Sequence, residues 1–273
     1  MSCNISAGEL TALEALYNAT NGDSWAWRTA DDDITYYYYE PFDGGAIWTF
    51  PASLSDPCSS NWQGVTCSLS QESNSSCYVD SVVLRYYNLQ GGPLPKEISG
   101  LTGLTTFDLR NNSITGSIPT EVGTLANLQD LYLSYNLLSG QIPSQVSNLK
   151  ALENLTLSYN DLTGSIPSLL STKLLYLDVI YNHLNGTIPS DLYSMTAMQL
   201  LRFYNNSFSG SISSSISNMK SLEKVSLSIN QFTGSIPPEI ASLTKLYFLA
   251  LYENQLIGKL SENIIYLFVI QYY

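Results

Sequence analysis

The sequence predicts a right-handed α/β solenoid, and three observations carry that expectation. A block of about 24 residues recurs eight times along the chain. Each block holds a short Leu-X-Leu stretch whose period of two marks a strand with two inward side chains. In seven of the eight, an Asn follows that strand three residues on, and intervals between successive Asn residues from Asn112 are 24, 24, 22, 24, 24 and 24. A supersecondary unit of this size cannot bury its own apolar edge, so a regular array gains stability by stacking its copies.

The pattern is set by Leu101, Leu104, Phe107, Leu109, Asn112, Ile114, Gly116, Ile118 and Pro119. It returns at Leu125, Leu128, Leu131, Leu133, Asn136, Leu138, Gly140, Ile142 and Pro143, and again at 149–167. Later copies centre on Asn182, Asn206, Asn230 and Asn254, and a degenerate first copy carries Tyr87 in the Asn position. Each position has a physical role. The Asn amide bonds the backbone where the chain leaves the strand, so stacked copies form a ladder. Gly permits a backbone closed to other residues, and Ile-Pro opens a stiff return segment on the convex side. Ser213 and Ser261 stand where Pro is expected, 91–95 holds one extra residue, and the copy before Asn182 is two residues short. These departures alter local curvature rather than fold class.

The run Leu-X-Gly-X-Ile-Pro resembles the plant type of leucine-rich repeat, as in receptor-kinase ectodomains and polygalacturonase-inhibiting proteins, over about residues 79–273. The resemblance implies a concave parallel β-sheet, a convex side of 3-10 turns and loops, and a disulfide-bonded amino-terminal cap. The expected organisation is a cap at 1–78, eight repeats at 79–260, and the start of a ninth at 261–273.

An apolar solenoid end needs such a lid. Leu10, Leu13, Leu16 and Tyr17 fall at helical spacing. The segment Asn61-Trp62-Gln63-Gly64-Val65-Thr66-Cys67 is similar to the motif that closes the cap in this family, and Asn21-Gly22-Asp23-Ser24-Trp25 resembles caps of algal and protist repeat proteins. Cys3, Cys58, Cys67 and Cys77 allow three pairings. The resemblance implies Cys58 with Cys67, which leaves Cys3 with Cys77; Cys67 with Cys77 is the rival. Their spacings are not those of zinc sites. Residues 28–55 form an insertion with Asp31, Asp32 and Asp33, tyrosines at 36–39, and Trp48 and Phe50. It reads either as an aromatic, acidic binding loop or as a lid whose aromatics pack over the first coil.

Composition narrows the function. Eleven basic against 23 acidic residues leave a net charge of −12, so phosphate-based affinity for nucleic acid and attraction to anionic membranes are both disfavoured. Only 12% of residues are charged, and no run reaches the roughly 20 apolar residues that span a bilayer. The chain opens Met1-Ser2-Cys3-Asn4 without a basic-then-apolar leader. Sequons at Asn4, Asn18, Asn74, Asn111, Asn154, Asn185 and Asn205, with cysteines confined to the first 77 residues, favour a glycosylated extracellular or cell-surface protein. At the other end, Ile264, Leu267, Ile270 and Tyr273 continue the pattern 24 residues beyond Ile240, Leu243, Leu246 and Leu249. The expectation is a longer parent protein, or association through an uncapped end.

His183 is the only histidine, which removes imidazole triads and two-His metal sites. Asp108 and Asp130, on neighbouring strands, read as solvated carboxylates. No enzyme activity, cofactor or metal is expected. The predicted site is the concave face, where Tyr86, Arg110, Tyr132, Tyr135, Tyr159, Asp178, Tyr181, Arg202 and Tyr204 fall into columns at strand spacing. Tyrosine offers a large ring and a hydroxyl at low entropic cost, which suits a protein, peptide or carbohydrate ligand; the same residues could instead brace an exposed sheet. The expected function is therefore an extracellular recognition module. Alternatives are an inhibitor of a secreted hydrolase, or an ice- or polysaccharide-binding scaffold using Thr115, Thr163 and Thr233. In that series Ser139, Asn185, Ser209 and Ile257 interrupt the threonines.

Overall fold

The computed structural model describes residues 4–27, 29, 45–50, 56–70, 76–258 and 268–270. Among these, short strands stack into two sheets, one of ten strands and one of eight. The first is the expected concave sheet. Beyond the cap its strands are three-residue segments such as Thr106–Asp108, Asp130–Tyr132, Asn154–Thr156 and Tyr176–Asp178. They pair in parallel and in register, so Asp108 lies beside Tyr132, Tyr132 beside Thr156, and Asp178 beside Arg202.

The second sheet was not expected. It forms just after each Asn, as in Ser113–Gly116 and Leu137–Gln141. The ladder makes it possible. Asn136 donates from Nδ2 to Leu109 O of the preceding coil at 2.9 Å and to its own Leu133 O at 3.1 Å, while its Oδ1 accepts from Ile114 N at 3.1 Å. Each Asn thereby pulls the outgoing segment of the previous coil alongside its own exit, and the two extended segments pair. Successive strands there slip by two residues, so that Ser139 pairs with Asp161.

The convex side carries one-turn 3-10 helices such as Thr120–Thr124 and Ser144–Asn148, each opening after Pro119 or Pro143. Where Ser213 replaces proline, its hydroxyl accepts from Ser215 N at 3.1 Å and opens the turn in proline's place. The coil that is two residues short has no such helix between Asp161–Gly164 and Tyr176–Asp178. Its tight return puts Leu169 at φ +60°, with two thirds of its surface exposed.

The amino-terminal cap begins with α1 (Ala7–Ala19), opened by a reciprocal box in which Glu9 N donates to Ser6 Oγ and Ser6 N donates to Glu9 Oε2. Leu13 and Leu16 are buried as expected, but Glu9 is buried too, and Leu10 is not. Glu9 Oε1 accepts from Val79 N at 2.8 Å, which ties the helix to β2 (Cys77–Val83). β2 pairs antiparallel with β1 (Val65–Leu69) and then starts the parallel array beside Thr106–Asp108. Cys58 is bonded to Cys67, which rules out Cys67 with Cys77. Cys77 is also in a disulfide, and Cys3 lies outside the described residues. Trp48 is buried against Trp25 and stacked on Trp62, and Phe50 meets Trp62 edge-on. These two insertion aromatics pack into the cap; Asp31, Asp32, Asp33 and the tyrosines at 36–39 lie outside the described residues.

Candidate functional site

The site is built where the parallel strands end. In every coil the residue before the Asn position has a left-handed backbone: Tyr86, Asn111, Tyr135, Tyr159, Tyr181, Asn205, Ile229 and Glu253 span φ values from 50° to 62°. Asn tolerates that region at low cost and Tyr does not. The ring interactions compensate. Tyr135 and Tyr159 stack with centroids 4.2 Å apart and planes 12° from parallel, and Tyr159 and Tyr181 stack at 4.4 Å and 21°. Tyr204 meets Tyr181 edge-to-face at 5.2 Å, with the two hydroxyls 3.5 Å apart.

This stack corrects one premise. The ring faces expected to meet a ligand are largely spent on one another, so the wall presents ring edges and hydroxyls. Burial, then the bond to Tyr135, pushes the Tyr159 phenol up to about 12. Tyr181 is also raised, chiefly by its bond to Tyr204. Both remain protonated donors at any physiological pH.

Beside the wall lies an open groove of about 550 Å³, lined by residues of six successive coils from Arg85 and Tyr86 to Arg202. Its floor is small and polar, made by Ser134, Thr156 and Ser158. Two ion-pair networks flank that floor. At one end Asp108 is completely buried, contrary to the solvated carboxylate expected there. It accepts from Arg85 Nε, from Arg110 Nη2 at 2.7 Å and from Arg110 N at 3.1 Å. Two guanidinium groups thus share this one carboxylate. Arg110 also lies over the Tyr132 ring, 4.5 Å from its centroid, a cation–π contact worth about 0.5–2 kcal/mol. Burial opposes the charge on Arg110, but Asp108 outweighs it and holds the guanidinium above its ordinary pKa. Burial, then the charge of Asp130, pushes Tyr132 up to about 12. At the other end Asp178 accepts from Arg202 Nη1 at 2.8 Å and from the Ser158 hydroxyl.

Of the nine expected ligand-binding residues, Tyr86, Arg110, Tyr135, Tyr159, Asp178 and Arg202 line this groove. Tyr132 lies under Arg110, while Tyr181 and Tyr204 close the far end of the stack. Sequence reasoning missed Asp108 and Arg85; the signal was an aspartate flanked by arginines in the same strand and the one before it. Among the sequons, Asn4, Asn18 and Asn185 are exposed, and Asn111, Asn154 and Asn205 are half-buried on the concave side. Asn74 lies outside the described residues. His183 is exposed, 3.8 Å from Asp161. Among the described residues no cluster could hold a metal ion, and no helix is long and apolar enough to cross a membrane.

Family models described as leucine-rich repeat match residues 102–162 and 221–243. The chain is a leucine-rich-repeat protein. Its solved relatives place its repeats in the plant type. The structure of PEPR1–AtPEP1 is 30% identical, with a TM-score of 0.74 over 97% of this chain and 34% of that one. The Arabidopsis receptor kinase HAESA, solved with the peptide hormone IDA and the co-receptor SERK1, is 31% identical, with a TM-score of 0.71 over 97% of this chain and 41% of that one. A plant ice-binding protein, 22% identical, shares the fold over all of this chain and 86% of its own, with a TM-score of 0.66. The leucine-rich-repeat chain thus spans between a third and two fifths of the receptors' length. No curated protein matches its sequence.

Proposed function

We propose that this leucine-rich-repeat chain is an extracellular recognition module that binds an extended peptide, or a peptide segment of a protein, along its concave groove. One observation carries the reading: a stacked tyrosine wall beside a small polar floor, with an ion-pair network at each end. A chain laid across the coils could bond to the row of phenol hydroxyls and place an acidic group near Arg110. The peptide hormone in the HAESA structure supports the ligand class by analogy.

Carbohydrate has less support, because sugar rings pack flat on aromatic faces and these faces are mostly occupied by neighbouring rings. A flat face for ice or crystalline polysaccharide has less support as well. Strand slippage in the second sheet sets Ser139 beside Asp161 and Thr163 beside His183, which mixes charge into the hydroxyl rows.

The test is to probe the purified chain in parallel against a random peptide library and a glycan array. Selected peptides that compete with one another for a single site are expected. Binding to glycans alone would overturn the reading.

A further inference from the structure

We propose that the open end of the tyrosine stack is a subsite for an aromatic side chain of the ligand, entering as the missing rung at Asn111. This deepens the peptide-binding reading and rests on it.

The three-ring stack has two unlike ends. Tyr181 is covered edge-on by Tyr204. Tyr135 contacts one ring, Tyr159, and remains 48% exposed, more than any other tyrosine of the stack. Its outer face is uncovered because the preceding coil supplies Asn111, a short side chain, at the same left-handed position. The next rung beyond belongs to Tyr86. The rungs of Tyr86 and Tyr135 are two coil steps apart, about 9–10 Å at the usual sheet spacing, which leaves room for one ring midway. The gap opens onto the groove, and Asn111, Tyr135 and Arg110 all line it.

A planar aromatic group placed there would meet Tyr135 at the separation the stack already uses, 4.2–4.4 Å. It would remove the most exposed ring of the wall from water and gain an offset-stacked contact. Arg110, fixed by Asp108, stands beside the gap and favours the electron-rich face of an aromatic over an aliphatic side chain of similar size.

The experiment fills the rung. Asn111→Tyr is compatible with the backbone, because Tyr86, Tyr135, Tyr159 and Tyr181 adopt the same φ. Thermal melting should show the variant folded and no less stable than the parent. Asn111→Tyr also deletes a sequon, so Ser113→Ala, which deletes the sequon and leaves the gap, is the control. Peptides selected from a phage-displayed random library on the parent chain should share an aromatic residue. They should lose at least about tenfold in affinity for Asn111→Tyr and bind Ser113→Ala unchanged.

Peptides without a shared aromatic, or peptides that bind Asn111→Tyr as well as the parent, would overturn the subsite while leaving groove binding intact. A library that yields no binder to the parent would overturn both readings.

Discussion

Replacing Asn160 by alanine should cost about 3–4 kcal/mol of stability, a large loss for one side chain at no binding site. The figure follows from the ladder. Asn160 is buried and donates from Nδ2 to Leu133 O at 3.1 Å and to Leu157 O at 3.0 Å, and its Oδ1 accepts from Leu138 N at 3.0 Å. Two Nδ2 donor bonds and one acceptor bond, at roughly 1 kcal/mol each, are lost, and the Leu138 N–H of the preceding coil is left without its partner in a buried setting, while Leu133 O keeps its bond from Asn136 Nδ2. Asn160→Asp separates the contributions: it keeps the acceptor for Leu138 N and loses both donor bonds. Chemical denaturation gives the total, and hydrogen exchange at the Leu138 amide gives the local part. Alanine should deprotect that amide strongly, whereas aspartate should destabilise the chain yet leave the amide largely protected. A loss under about 1 kcal/mol, with Leu138 exchange unchanged in the alanine variant, would refute the view that the ladder holds the coils together.

Three further outcomes are expected. Replacing Cys58 and Cys67 together by alanine should cost about 2–3 kcal/mol, the entropy of a loop this short, and non-reducing peptide maps of the parent should show Cys58 linked to Cys67. In an alkaline titration followed by phenolate absorbance, Tyr17, Tyr132 and Tyr159 should ionise near about 12, above the ~10 of a free phenol. Because their folded pKa values are raised, the stability they contribute is complete below the unfolded value and is lost as pH climbs toward 12; early ionisation in intact protein would contradict this. Glycopeptide mass spectrometry should find Asn18 and Asn185 occupied and Asn154 bare, because the Asn154 amide is committed to Asp130; a glycan on Asn154 would contradict the packing.

The repeat, the ladder and the inward Leu, Ile and Phe positions were legible because burial leaves few alternatives for those side chains. Less was legible where one residue's role depends on another coil. Asp108 looked solvated in its own strand, yet Arg85 from the preceding coil and Arg110 close over it. Glu9 carried no signal in the sequence, because its second oxygen serves β2, far away along the chain. The tyrosine column was visible as a spacing. That its faces would be consumed by stacking follows from the left-handed backbone it shares with Asn111 and Asn205, and tyrosine gives no hint of that conformation. The second sheet escaped notice because its strands carry Ser, Thr and Gly rather than alternating apolar residues, and its pairing is imposed by the ladder.

Binding of the ligand by the tyrosine wall is tested most directly by the affinity of a selected peptide for Tyr135→Asn/Tyr159→Asn beside the parent chain. Asparagine is the right replacement, since Asn111 and Asn205 hold the same position at φ 57° and 53°, so the variant should stay folded. The expected result is a loss of about 2 kcal/mol or more with an unchanged melting profile in the remaining coils. Equal affinity in a folded double variant would contradict it and place the site away from the wall.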